Sequence, residues 1–318
     1  MNGIYVPVVR HKRTFERVFQ QLGGLSSFSS ESHKNKLVPL LEITSDQDIE
    51  ELHPYRGAAD DLLVELPVYH YTTEEDNDLA APIQSLSKEF GGQVGFYRSN
   101  LADIDIPVIS DSIRQPFDYD KIVDKYRRLS EDTNSIAARL FISSRKITEE
   151  QRASLEDLAG VMADNEYVLL DIIEVGVKGA VRENLETIAS ILRNQNVIVL
   201  NVFNPSSDQA TNKGPKLCSD LDLEGFGDFA LGRRYEVSFP YTGPRKIRYY
   251  DPSSSEIVLS EGDDYPEAAN KLASDGFFDP DHCGFCSEGS HYNKDGVGKW
   301  SSIEKGHFVV SSLNEELD

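Results

Sequence analysis

Along the first two-thirds of the chain, short apolar runs alternate with stretches whose apolar positions recur every three or four residues. The runs are Ile4–Val9, Leu37–Ile43, Asp61–Val68, Ile106–Ile109, Ser135–Ser143, Tyr167–Ile173, Val197–Phe203 and Gly225–Leu231. They are short and mostly rich in branched residues, which reads as strands buried on both faces. Between them, Thr14–Leu22, Asp46–Leu52, Asp78–Phe90, Asp118–Ser130, Glu149–Ala163, Val181–Arg193 and Cys218–Leu223 carry helical spacing. Thr14 is placed to cap its helix, and the pairs Gly23-Gly24 and Gly91-Gly92 to end theirs. Gln93–Tyr97 fits a turn or an extra short strand; the helix that follows Ile106–Ile109 favours the latter run as the fourth strand. Strand–helix alternation of this kind predicts an α/β fold, a (β/α)8 TIM-barrel-like core over residues 1–232.

From about residue 233 the pattern changes. Lys246–Tyr250 and Glu256–Leu259 predict a β-hairpin around 251–255, then a helix at Tyr265–Ser274, a Gly/Asp-rich loop and a last strand at His307–Ser311. No low-complexity linker precedes this part. Residues 233–318 therefore read as a C-terminal extension packed on the barrel, not as a tethered domain.

The chain has 318 residues, which suits a barrel of about 250 residues with additions. Its net charge of -22 changes the picture more. Such a surface repels phosphate backbones, so non-specific nucleic-acid binding is disfavoured. The acid excess is spread along the chain, as a solubilising or salt-adapted surface would be. Three cysteines make no disulfide framework at this length. No run of about 18 apolar residues occurs, and the opening MNGIYVPVV lacks the charged start and long apolar centre of a signal peptide. The expectation is a cytoplasmic protein with no membrane segment.

In an α/β barrel, chemistry gathers where strands end and the following loops begin. Those positions hold Lys12, Glu42, Asp171 and Asp228 as candidate catalytic residues, with Glu65, Arg139, Asn201 and Arg248 as ligand-binding candidates. A ring of acids with a few bases suits a phosphate or carboxylate, and oxygen ligands of this kind suit Mg²⁺ or Mn²⁺. Two opposed carboxylates also suit acid–base work on a sugar. The plainer alternative is that the acids are structural, paired as Lys12–Glu42 and Arg139–Asp171.

His282, Cys283, Cys286 and His291 form H-C-x2-C-x4-H, in which Cys283, Cys286 and His291 are candidate zinc ligands. All four crowd one loop, whereas structural zinc sites usually use two separated pairs. Zinc is thus the less favoured metal, and an ordinary polar loop is the alternative. Cys218 or His307 contributes only if the fold brings it near. A cysteine nucleophile is weaker still, because sequence adjacency to His282 is not catalytic geometry. Gly225-Phe226-Gly227-Asp228 lacks a Walker lysine, so its glycines suit a tight backbone path at the barrel rim. Trp300 and His307 read as anchors of the last strand. Arg233-Arg234-Tyr235 and Arg245–Tyr250 are locally basic and aromatic, which suits nucleic-acid contact, pairing with the acidic body or a protein partner; the last two are favoured.

Taken in order, YVPVVRHK, VPLLEI, VLLDI, GDFA at Gly227–Ala230, KIRYY at Lys246–Tyr250 and the W-x6-H-F ending at Phe308 resemble the beta family (protein beta) of phage, prophage and mobile-element proteins. The resemblance spans nearly the whole chain, although each motif is short. It implies a barrel-like core and a role in phage–host conflict, in antiviral defence or on a mobile element. It also implies recurring polar places at Lys12, Glu42, Asp171, Asp228 and Arg248. One departure is Thr14-Phe15-Glu16, where the family usually follows its lysine with a Gly-Glu-like pair, which puts the first-strand position in question. Two functions follow: a barrel-mouth site for a phosphorylated or nucleotide-like ligand, or a non-enzymatic protein that binds a phage or host partner through its acidic surface or the Arg233–Tyr250 face.

Overall fold

The computed structural model describes all residues except 1–2, 11, 25–33, 72–76, 174–176, 178, 203–210, 232–233, 235–243, 277, 280, 290–296 and 315–318. Eight parallel strands close on themselves in chain order: β1 Ile4–Arg10, β2 Leu40–Glu42, β3 Leu63–Glu65, β4 Ile106–Ile109, β5 Ala137–Ile142, β6 Tyr167–Ile172, β7 Asn196–Leu200 and β8 Gly225–Asp228. Helices lie between the strands, so the chain is a TIM-barrel-like α/β fold.

Strand alternation divides the core in two. Val6, Val8, Leu40, Leu63, Val108, Ala137, Leu169, Ile198 and Leu200 fill the barrel interior as one apolar cluster. The alternate residues Tyr5, Val9, Leu41, Val64, Ala138, Leu170 and Val199 face outward and pack under the helices. The helix Tyr119–Leu129 shows how those helices read from sequence: its buried Ile122, Val123, Tyr126 and Leu129 recur every three or four residues. Asp118 caps it by accepting from the Lys121 N–H. Thr148 and Gln151 form a reciprocal capping box at the start of Glu149–Val161.

Three expected elements differ. Gln93–Tyr97 belongs to a helix, Gln93–Asn100. Gln93 is there a buried plug, donating to Leu66 O at 2.8 Å and accepting from the Ser110 N–H at 3.1 Å. Strand β8 stops at Asp228, because Ala230 and Leu231 take left-handed φ values of 45° and 63°. The largest difference is at the C-terminus, where His307–Ser311 lies inside the helix Val297–Asn314. That helix is buried nearly all round, so its sequence shows no apolar stripe, and its Val309-Val310 pair mimics a strand.

The extension begins with the antiparallel hairpin β9 Arg245–Asp251 and β10 Glu256–Gly262. Helices Tyr265–Ser274, Gly284–Gly289 and Val297–Asn314 follow. Ile247, Tyr249, Ala268, Leu272, Trp300 and Ile303 make a small core of their own. Tyr250, Ile257, Phe285, Phe308 and Val309 instead join the outer core of the barrel. The extension thus shares the barrel's packing. Among the described residues, no helix is long and apolar enough to cross a membrane.

Candidate functional site at the barrel mouth

The inward positions of the strands turn from apolar to charged at their C-terminal ends. On β1 the inward series is Val6, Val8, Arg10; on β2 and β3 it ends at Glu42 and Glu65, which stand in register with each other and with Arg10. Arg139 rises from β5 and Asp171 from β6, and Asn201 follows β7. Glu42, Glu65, Arg139 and Asp171 are each fully buried.

Arg139 stands at the centre. Its Nη1 contacts Glu42 Oε1 at 3.0 Å and Glu65 Oε2 at 2.5 Å, while Nε and Nη2 hold Asp171 Oδ2 at 2.9 and 2.7 Å. The guanidinium carbon lies 4.7 Å from the centroid of the Tyr69 ring. Glu42 is saturated: Oε1 also accepts from Tyr69 Oη, and Oε2 faces Arg10 Nη2 at 2.8 Å and His70 Nε2 at 3.4 Å. Asn77 Nδ2 donates to His70 Nδ1 at 2.6 Å, which leaves the ring proton on Nε2, toward Glu42. Asp171 is closed from above by Arg234, whose Nη1 and Nη2 reach Oδ2 and Oδ1 at 3.1 and 2.5 Å. Asn201 Nδ2 donates to Oδ1 at 2.6 Å. Arg10 links the two halves through the Arg234 carbonyl, at 2.5 Å.

The two glutamates are driven apart. Burial favours the neutral form of Glu42, but Arg10, His70 and Arg139 outweigh it and hold its carboxyl well below the usual range. At Glu65 burial prevails, helped by the Glu42 charge, and the carboxyl is pushed up. Its Oε1 has no hydrogen-bond partner among the described residues. Burial also lowers His70, which favours the neutral ring.

The structure therefore gathers Glu42, Glu65, Arg139, Asp171 and Asn201, and it leaves out three expected residues. Lys12 is exposed beyond the end of β1, so Glu42 pairs with Arg10 and Arg139 instead. Asp228 points out of the barrel, since its inward neighbours are Gly227 and Phe229. It accepts from Tyr5 Oη at 3.2 Å and the Ala230 N–H at 2.6 Å, and burial pushes it up to about 7. Arg248 is on β9, where its N–H donates to Glu304 Oε1 at 2.6 Å. Arg10, Tyr69, His70 and Arg234 join the site unforeseen. The inward alternation of Val6 and Val8 pointed to Arg10. Of the roles open to the basic run at Arg233-Arg234-Tyr235, Arg234 takes that of pairing with an acid of the body, Asp171 of the barrel.

Arg139 also occupies the space between the carboxylates where Mg²⁺ or Mn²⁺ would need to sit, so as placed they form no oxygen cage. A separate groove of about 210 Å³ opens beside the mouth over β5, walled by Pro116, Phe117, Tyr119, Arg145 and Lys146. In the extension, Cys283 and Cys286 meet His307, and His291 lies outside the described residues. Cys218 is remote from them, its Sγ donating to Gly225 O at 3.0 Å.

No family model and no curated protein matches the chain. Among solved structures, an N-acetylneuraminate lyase from Fusobacterium nucleatum aligns with a TM-score of 0.41 and 9% identity, over 72% of this chain and 70% of that one. A domain of a thermostable chitinase from Pyrococcus furiosus aligns with a TM-score of 0.37 and 10% identity, over 72% and 85% of the two chains. Likeness at that level carries no argument about activity. The closed eight-stranded topology is what defines the fold.

Proposed function

We propose that the barrel mouth binds a small anionic ligand of the phosphorylated or nucleotide-like class by taking Arg234 from Asp171. The observation that carries this reading is the geometry of Arg234. Its side chain is 14% exposed, while Asp171 and Arg139 beneath it are fully buried. A fork that holds a carboxylate through two N–H groups suits a phosphate equally well. The buried ring of Phe229 lies 5.4 Å from the Arg10 guanidinium and 5.8 Å from that of Arg234, so it backs both cations at the mouth. In this reading Glu42, whose carboxyl is held low, and Glu65, whose carboxyl is pushed up by burial, are the candidate acid–base pair. The resemblance to beta-family proteins sets such a site in phage–host conflict.

A second reading has an observation of its own: each mouth carboxylate already meets a guanidinium, as structural acids do. The protein is then a non-enzymatic binder of a phage or host protein. Thermal-shift measurements with inorganic phosphate, sulfate and nucleoside mono-, di- and triphosphates separate the two. The mouth reading expects a stabilising shift from at least one phosphorylated compound, lost in Arg234→Gln. No shift across the panel favours the interaction protein.

A further inference from the structure

The two cysteines of the Cys283–Cys286 turn and a histidine 21 residues beyond the second one converge in the extension. Cys283 Sγ and Cys286 Sγ are 3.5 Å apart, and His307 Nδ1 lies 3.2 Å from Cys286 Sγ and 3.7 Å from Cys283 Sγ. Bond lengths of about 2.3 Å to sulfur and about 2.0–2.1 Å to nitrogen place tetrahedral zinc ligands about 3.8 Å apart for S···S and about 3.6 Å for S···N. The three atoms stand within a few tenths of an ångström of those separations.

Three further features prepare the same three residues. The other ring nitrogen, His307 Nε2, meets the Tyr250 carbonyl at 2.6 Å. A carbonyl only accepts, so Nε2 carries the proton and Nδ1 turns a lone pair toward both sulfurs. The Tyr249 ring stacks on His307 at 4.2 Å and 8°, which fixes the imidazole plane. Gly306 then lets the cysteine turn approach the helix: a Cβ there would sit 2.3 Å from a Phe285 ring carbon. The glycine before the histidine and the phenylalanine between the cysteines are thus matched in shape.

We propose that Cys283, Cys286 and His307 hold a structural Zn²⁺ ion that fastens the cysteine turn to the C-terminal helix, whose His307 is in turn bonded to the hairpin through the Tyr250 carbonyl. These residues supply three vertices of a tetrahedron and leave one for water or another donor. Binding releases the two thiol protons to solvent and leaves both sulfurs as thiolates. The position next to Phe308, which packs edge-on against Tyr250 and Tyr5, couples the clip to the outer wall of the barrel.

The test is elemental analysis of the full-length protein purified under reducing conditions without chelator, with Co²⁺ exchanged into a second sample. The expected result is about one zinc per chain and a cobalt spectrum with thiolate charge-transfer bands. Cys286→Ser and His307→Ala should each lower zinc retention against a competing chelator by about 10-fold or more. Cys218→Ser, remote from the cluster, should keep the ion. Wild-type protein that takes up neither zinc nor cobalt at a chain equivalent overturns the proposal, as does a Cys283–Cys286 disulfide in freshly isolated protein. Both are read on the unaltered chain, so a variant that fails to fold leaves the outcome intact.

Discussion

Arg139 is the residue on which the barrel mouth depends, because among the described residues it is the one seen to touch all of Glu42, Glu65 and Asp171. Arg139→Met keeps much of the volume but leaves buried carboxylates without their central counter-charge, and breaking such a group costs about 3–5 kcal/mol. Urea unfolding at neutral pH should show a loss of that order. Asp228 predicts a pH effect of defined sign. Its folded value of about 7 lies above the ordinary 3.8, so the folded chain keeps a proton that the unfolded chain has released. Its contribution to stability is full below the ordinary value and is lost as pH rises through about 7. Asp228→Asn cannot ionise and keeps the acceptor used by Tyr5 and Ala230. Melting curves should therefore place it level with wild type at about pH 4 and ahead by on the order of 4 kcal/mol at about pH 8. Glu304, half-buried and also near 7, keeps part of the slope in that variant.

At the scale of elements, the barrel closes at the seam between β1 and β8, where Val6 stands in register with Gly227. A Cβ at Gly227 would lie 2.1 Å from the Val6 carbonyl oxygen and 2.7 Å from a Leu200 methyl carbon. Gly227→Ala should therefore part the seam and destabilise by about 1–3 kcal/mol, measured by chemical unfolding. This glycine also shows how far sequence reasoning reached. GFGD was readable as a strand with a tight backbone path, yet its crowding comes from β1, more than 200 residues earlier. The eight strands were legible because each is short and apolar, whereas the helix Val297–Asn314 was not, because burial on every side erased its period. The site divides in the same way. Strand-end position alone found Glu42, Glu65, Arg139 and Asp171. Parity was needed to turn Asp228 outward and bring Arg10 in. His307 became a partner of Cys283 and Cys286 only through the packing of the last helix, which no local spacing encodes.

On the scale of the whole molecule, a chain of net charge -22 surrounds a mouth where three guanidiniums meet three carboxylates. Long-range attraction from such a body does not favour an anion, so binding has to come from short, directed contacts at Arg234 and Arg10. Added salt should accordingly weaken the repulsion of an incoming anion while leaving the buried pairs nearly unscreened. The zinc clip is independent of this site, and its loss would loosen the extension without emptying the mouth of its charges. Titration calorimetry of inorganic phosphate and of ATP into the wild-type protein and Arg234→Gln tests the central claim most directly. The account predicts saturable binding of at least one of them to the wild type, weakened by about 10-fold or more in the variant. Binding of equal strength to both proteins, or to neither, would contradict it.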